Sequence, residues 1–173
     1  MQNNIKKRKN KGFTLIEALI AIAVLTISIA GPITIASRGI ASAVFARDQI
    51  TAFYLAQEAV EYIRNQRDEN NLNGNDWLEG LSECLDANVC TVDINESDPE
   101  DIINQCPGGV CPVLKYDDNI NFYNYSTGVD SNFTRTTNIT TINVKEVAIT
   151  TTLSWSTGVL SKSFTVKEHI LDW

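Results

Sequence analysis

A chain of 173 residues carrying 21 acidic and 14 basic side chains, with a formal net charge of −7, is long enough for one compact domain besides a membrane segment. The charges are segregated: Lys6, Lys7, Arg8, Lys9 and Lys11 occupy a leader with no acid, which leaves nine basic against 21 acidic side chains, a formal charge of −12, in the remainder. Between Asp68 and Asp130 stand 14 acids and one base, Lys115, so direct nucleic-acid binding, which depends on Lys and Arg neutralising phosphates, is not expected.

The first predicted element follows the basic leader. From Phe13 to Ser37, Glu17 is the only charged residue. About 20 apolar residues rising ~1.5 Å each span the hydrocarbon core of a bilayer, so this run predicts a transmembrane helix. The positive leader places the N-terminus on the cytoplasmic side. A lone carboxylate in such a span is costly, which makes Glu17 a candidate functional residue. An ordinary secretory signal with Ala41-Ser42-Ala43 as its cleavage site fits less well, because the apolar run outlasts the roughly 7–15 residues of a signal core and contains a glutamate.

The stretch Gly12-Phe13-Thr14-Leu15-Ile16-Glu17, continued by a long apolar helix, resembles the N-terminus of the type IV pilin and type II pseudopilin family. The resemblance implies that a dedicated membrane peptidase cuts after Gly12 and methylates Phe13 as the new first residue. Residues 1–12 would then be a cytoplasmic leader. The implied partners are the prepilin peptidase, the pilus assembly machinery and other pilin subunits packed helix against helix. The residues themselves agree with that picture. Cleavage would put a free amine on Phe13 four residues before a carboxylate, and two charges in an apolar setting are far better paired than apart. In the family this glutamate pairs with the N-terminal amine of a neighbouring subunit, so Glu17 carries the expected assembly role. The stretch Tyr54–Asp68 narrows the resemblance towards minor pilins. The expected life history is a single-pass protein of the cytoplasmic membrane that becomes part of an extracytoplasmic filament. A pseudopilin of type II secretion and a signal-anchored extracytoplasmic binding domain are the alternatives.

The helix is expected to run from Phe13 to about Arg67, with Gly31-Pro32 bending it rather than ending it, since Pro32 removes one backbone donor and crowds the carbonyl of Ser28. In its second part, residues 38–67, Ala46, Ile50, Phe53, Ala56, Val60 and Ile63 recur at helical spacing and predict one apolar face. Glu61 and Arg64 are placed to pair at i,i+3. Asn70–Asp76 reads as a turn-rich exit, followed by Trp77, Leu78, Leu81 and Leu85 as anchors of a short helical turn.

Residues 68–173 form the predicted extracytoplasmic domain. Its four cysteines, Cys84, Cys90, Cys106 and Cys111, suit two disulfides in an oxidising compartment. Three connectivities are open. Local pairs, each clipping a loop of turn-forming residues, are favoured over a zinc site, because the spacings lack a C-x2-C pair and no histidine is near. After Cys111 the pattern turns to strands. Val113–Tyr116 and Ile120–Tyr125 flank Asp117-Asp118-Asn119 as a hairpin, and Phe133–Thr140, Glu146–Trp155 and Leu160–Glu168 follow. Ser156-Thr157-Gly158 is the expected last turn. Val147, Ile149, Thr151, Leu153 and Trp155 alternate with small polar residues, the pattern of an antiparallel sheet with one face on a helix. The fold class is therefore α+β, a long N-terminal membrane-spanning helix packed against a C-terminal antiparallel sheet, the layout of pilins.

No catalytic constellation emerges. His169 has no partner motif and reads as a strand-end residue, and neither a phosphate-binding glycine loop nor a zinc-protease motif is present. A calcium-loop near-miss spans Glu69–Gly80 but ends on Gly80 where a bidentate glutamate is required. Sequons begin at Asn95, Asn124, Asn132 and Asn138 in Thr-rich surroundings that produce them freely. No enzyme activity, metal or cofactor is expected.

Overall fold

The computed structural model describes residues 12–157 and 160–173. It divides the chain into two units, Met1–Val44 and Phe45–Trp173. The leader up to Lys11 and the expected turn residue Gly158 lie outside the described residues.

Helix α1 is assigned from Leu15 to Asn73, without interruption at Pro32. In the first unit its side chains are almost all exposed, including Leu19, Ile22, Leu25, Ile29 and Ile33. This part is long and apolar enough to cross a membrane, and none of its most apolar stretch is buried within the protein. Its few hydroxyls turn back onto the helix. Thr26 donates to the Ala23 carbonyl at 2.9 Å, Ser28 to Val24 at 2.6 Å, Thr34 to Ala30 at 2.9 Å and Ser37 to Ile33 at 2.9 Å. Each of these four hydroxyls is thus satisfied without a partner from outside, as hydrocarbon requires.

The helix outlasts its expected end at Arg67 by six residues. Asn70–Asn73 are still helical, and Gly74, at φ +74°, closes the last turn. The Asn75 N–H donates to the Asn70 carbonyl at 2.9 Å and the Gly74 N–H to Asn71 at 3.3 Å, the paired bonds of a glycine-stopped helix. The asparagine run that reads as turn is held helical because Asn70 is buried, donating to the carbonyls of Trp77 and Glu79.

In the second unit seven strands form one sheet: β1 Cys90–Val92, β2 Ile103–Gln105, β3 Val113–Asp117, β4 Phe122–Asn124, β5 Val129–Asn143, β6 Glu146–Thr157 and β7 Leu160–Leu171. The fifth strand is the spine, with every strand pairing antiparallel. Along one edge it pairs with β6, Phe133 opposite Trp155 and Ile139 opposite Ile149, and β7 lies beyond. Its other edge is shared by β3, with Tyr116 opposite Val129, and by β1, with Cys90 opposite Thr137. The last three strands are longer than their apolar cores suggest. Ser156 and Thr157, expected to turn, remain in β6 opposite Ser161 and Leu160, because a long two-stranded ladder continues as long as backbone partners face one another.

Two apolar clusters join the helix to this sheet. Ala59, Val60 and Ile63 meet Leu81, Cys84, Val92, Ile103, Ile139, Val147, Ile149 and Ile170. Ala52, Leu55 and Ala56 meet Leu114, Phe133, Leu153 and Trp155. Three alanines with no exposed surface let the helix approach closely. Fully burying a residue such as Ile63 contributes about 1.5–3 kcal/mol. Of the expected face, Ala56, Val60 and Ile63 are buried, whereas Ala46, Ile50 and Phe53 are exposed, and Asp48, Arg67 and Asn70 join the buried side.

Candidate functional site

The N-terminal residues named by the motif lie together at the start of α1. Gly12, Phe13 and Thr14 precede the helix and are exposed, Phe13 to 74%. Thr14 stands immediately before α1 as its cap. Its carbonyl accepts from the Ala18 N–H at 3.1 Å, and its Oγ1 accepts from the Glu17 N–H at 3.4 Å. That is the geometry by which a threonine satisfies one of the free donors of a helix start. The same hydroxyl lies 3.5 Å from Glu17 Oε2. Glu17 therefore stands in the first turn, exposed, with its carboxylate turned back towards Thr14. A carboxylate there also suits the positive end of the helix dipole. The Thr-x-x-Glu spacing is the signal for this cap.

Gly12 has no conformational need to be glycine. Its φ lies outside the left-handed region, and a Cβ added there would meet no atom within 4 Å. The Gly12–Phe13 peptide is exposed and lies ahead of the first helical hydrogen bond.

The second unit holds the helix by a buried polar layer between the two apolar clusters. On β5, Arg135 and Thr137 separate Phe133 from Ile139, and on β6 Thr151 separates Leu153 from Ile149. Arg135 is 1% exposed. It donates to Glu58 Oε1 and to the Leu55 carbonyl, each at 2.8 Å, and to the Val92 carbonyl. One guanidinium thereby ties α1, β1 and β5. Burial by itself lowers the Arg135 pKa, but Tyr125 and Glu58 facing it reverse that and hold it above its usual value. On the Tyr125 phenol burial acts in the opposite sense and pushes its pKa up. Thr137 and Thr151 share a buried hydrogen bond of 3.2 Å. At the far end of the helix Arg67 donates to the Leu171 carbonyl at 2.5 Å and its guanidinium sits over the Trp173 ring at 5.8 Å, fastening the last strand. Of these residues Thr151 falls on the inner face that alternation marks; an arginine centred in an alternating strand is the available signal for Arg135.

Disulfides join Cys84 to Cys90 and Cys106 to Cys111, with Cα separations of 5.0 and 4.7 Å. The first lies within an apolar cluster, and the second clips the Pro107–Gly109 turn before β3. His169 pairs with Glu146 across β6 and β7, Nδ1 to Oε1 at 2.8 Å, which holds the Glu146 carboxyl below its usual value. Glu61 and Arg64 pair at 3.0 Å, and Arg64 also reaches Glu168 at 3.3 Å. Glu69, Asn71 and Asn73 are helical, so the calcium-like spacing is not a loop. Glu69, Glu79, Glu83 and Glu100 line a groove of about 460 Å³ beside Tyr62. Among the described residues no group of three or more His, Cys, Asp or Glu side chains is placed to hold a metal ion.

The family model described as the prokaryotic N-terminal methylation motif matches residues 7–31. The match supports a chain similar to type IV pilins and pseudopilins over its N-terminal segment. No curated protein and no solved structure gives a match to the chain.

Proposed function

We propose that this chain is a minor structural subunit of a type IV pilus, made as a precursor and assembled through its N-terminal helix. The observation that carries the reading is the methylation motif at residues 7–31, read together with a long apolar helix followed by an antiparallel sheet. In this reading the prepilin peptidase hydrolyses the Gly12–Phe13 bond, and the Phe13 amine is methylated. The helix holds the subunit in the membrane until it is drawn into the filament, where Glu17 pairs with a neighbour's amine. The role is mechanical rather than catalytic. The exposed apolar first part of α1 supports it, because side chains such as Ile22, Leu25 and Ile29 need lipid or other helices as their environment. The disulfide-clipped sheet unit would face outward.

The decisive experiment is the mass of the N-terminal peptide from protein recovered from its own membranes. A peptide beginning at Phe13 with one added methyl group is the expected result. An intact Met1, or a start at Ser42, Ala43 or Val44, would replace the filament reading with that of an anchored or secreted domain. Under the pilus reading, the mature chain is also expected in sheared surface filaments; its confinement to the membrane fraction would favour a secretion pseudopilin.

A further inference from the structure

We infer that Thr14 is a positioning residue for precursor processing: as the cap of α1 it keeps the Gly12–Phe13 bond outside the helix and open to hydrolysis. The inference rests on the processing reading above. Hydrolysis adds water across that bond. The oxygen attacks the Gly12 carbonyl carbon, the bond to the Phe13 nitrogen breaks, and the nitrogen leaves with a proton as the new amine. An enzyme must therefore reach the Gly12 carbonyl from its face and polarise its oxygen. In the structure that carbonyl is not part of the helical ladder, because the first helical hydrogen bond runs from Ala18 N–H to Thr14 C=O. Were the helix to begin two residues earlier, the Gly12 carbonyl would accept from the Ile16 N–H, and the scissile peptide would be fixed in the first turn.

What stops the helix at Leu15 is local. The Thr14 hydroxyl accepts from the Glu17 N–H at 3.4 Å, and a cap residue takes extended rather than helical dihedrals. Phe13 and Gly12 oppose helix growth only by propensity, which is weak for phenylalanine. Beyond Leu15 the helix is continuous. An alanine at 14, the best helix former, would remove the stop and let the helix advance into the processing site. Among the described residues no contact constrains Gly12 itself, since an added Cβ there meets nothing. The cap is thus the feature that sets the conformation of the bond.

The test follows processing of the full-length precursor in membranes with its peptidase, as a time course of Phe13-starting peptide by mass spectrometry. Thr14→Ala is expected to slow appearance of that peptide about fivefold, the factor that loss of a cap carries. Thr14→Ser and Thr14→Asn, which differ in shape but keep a capping oxygen, are expected to process at close to the parental rate. Retention of both disulfides on non-reducing gels checks that each variant is folded. Parental-rate processing of Thr14→Ala overturns the inference. So does equal slowing of all three variants, which would mean that the peptidase reads the threonine side chain directly. Failure of the parental precursor to be cut after Gly12 removes the processing reading itself, and with it this inference.

Discussion

Arg135 is the residue whose surroundings are most specific. Its guanidinium is buried, and its partners are a carboxylate and two main-chain carbonyls on separate elements. Removing one partner of a buried ion pair leaves the other charge without compensation. Glu58→Ala is expected to lower the stability of the full chain in detergent by about 3 kcal/mol, read from urea unfolding followed by tryptophan fluorescence. An effect below about 0.5 kcal/mol would show that the pair behaves as an exposed one. Replacing Glu58 and Arg135 together by apolar residues of similar volume is expected to cost less than either single change, because no charge is then stranded. Gly128 is a second position fixed by geometry. At φ +99°, a Cβ there would run into the Tyr116 carbonyl, where β3 lies against the start of β5. Gly128→Ala is therefore expected to cost about 2–3 kcal/mol in the same assay, whereas Gly12→Ala is expected to leave stability unchanged.

Elements differ in how the cysteines serve them. Both short loops closed by the disulfides lose chain entropy in the unfolded state, worth about 2–3 kcal/mol for loops of this length. Cys84 and Cys90 are also fully buried in the apolar cluster around Ile63, so hydroxyls in their place would need hydrogen-bond partners there. The paired change Cys84→Ser with Cys90→Ser is thus expected to lower the thermal midpoint more than Cys106→Ser with Cys111→Ser. Equal shifts would place the effect in loop closure alone. The β6–β7 ladder has a pH-dependent element in Glu146, held below the ordinary glutamate value of 4.5 by His169, with Asn143 assisting. A depressed carboxyl pKa contributes stability above the ordinary value, and that contribution is lost as pH falls through the depressed one. The thermal midpoint of the parental chain is therefore expected to fall more steeply below pH 4.5 than that of Glu146→Gln, and parallel acid limbs would count against the pair. These elements were unequally legible in the sequence. The alternation of Val147 to Trp155 revealed the strand and its inner face, and the apolar run after Phe13 revealed the helix. The strands Cys90–Val92 and Ile103–Gln105 were not visible, because three residues carry no period and their place is set by pairing with β5 and with each other. The burial of Arg67 and Asn70 on α1 was hidden for a related reason: their partners include the carbonyls of Leu171, Trp77 and Glu79, which no helical periodicity encodes.

The molecule as a whole separates its two tasks. The residues of the motif belong to the first unit, and the disulfides, the polar layer and both apolar clusters belong to the second. Glu17 is exposed, and its side-chain partner is Thr14, three residues away. Its carboxylate therefore contributes nothing to the packing of the sheet unit, and its cost in an apolar surrounding is offset only when a positive group joins it. The motif at residues 7–31 was legible because it is a local string of residues. The identity of a positive group that would join Glu17 was not, because in the proposed function it belongs to another chain. Glu17→Ala is accordingly expected to insert in the membrane, form both disulfides and unfold at the parental thermal midpoint, yet fail to enter filaments. Immunodetection of sheared filaments against the membrane fraction separates these outcomes. Parental incorporation of Glu17→Ala would remove the assembly role from the carboxylate. Loss of the disulfides or of the thermal transition would show instead that the first unit governs folding of the second. Retained folding with lost incorporation is the signature of a carboxylate that acts only between subunits.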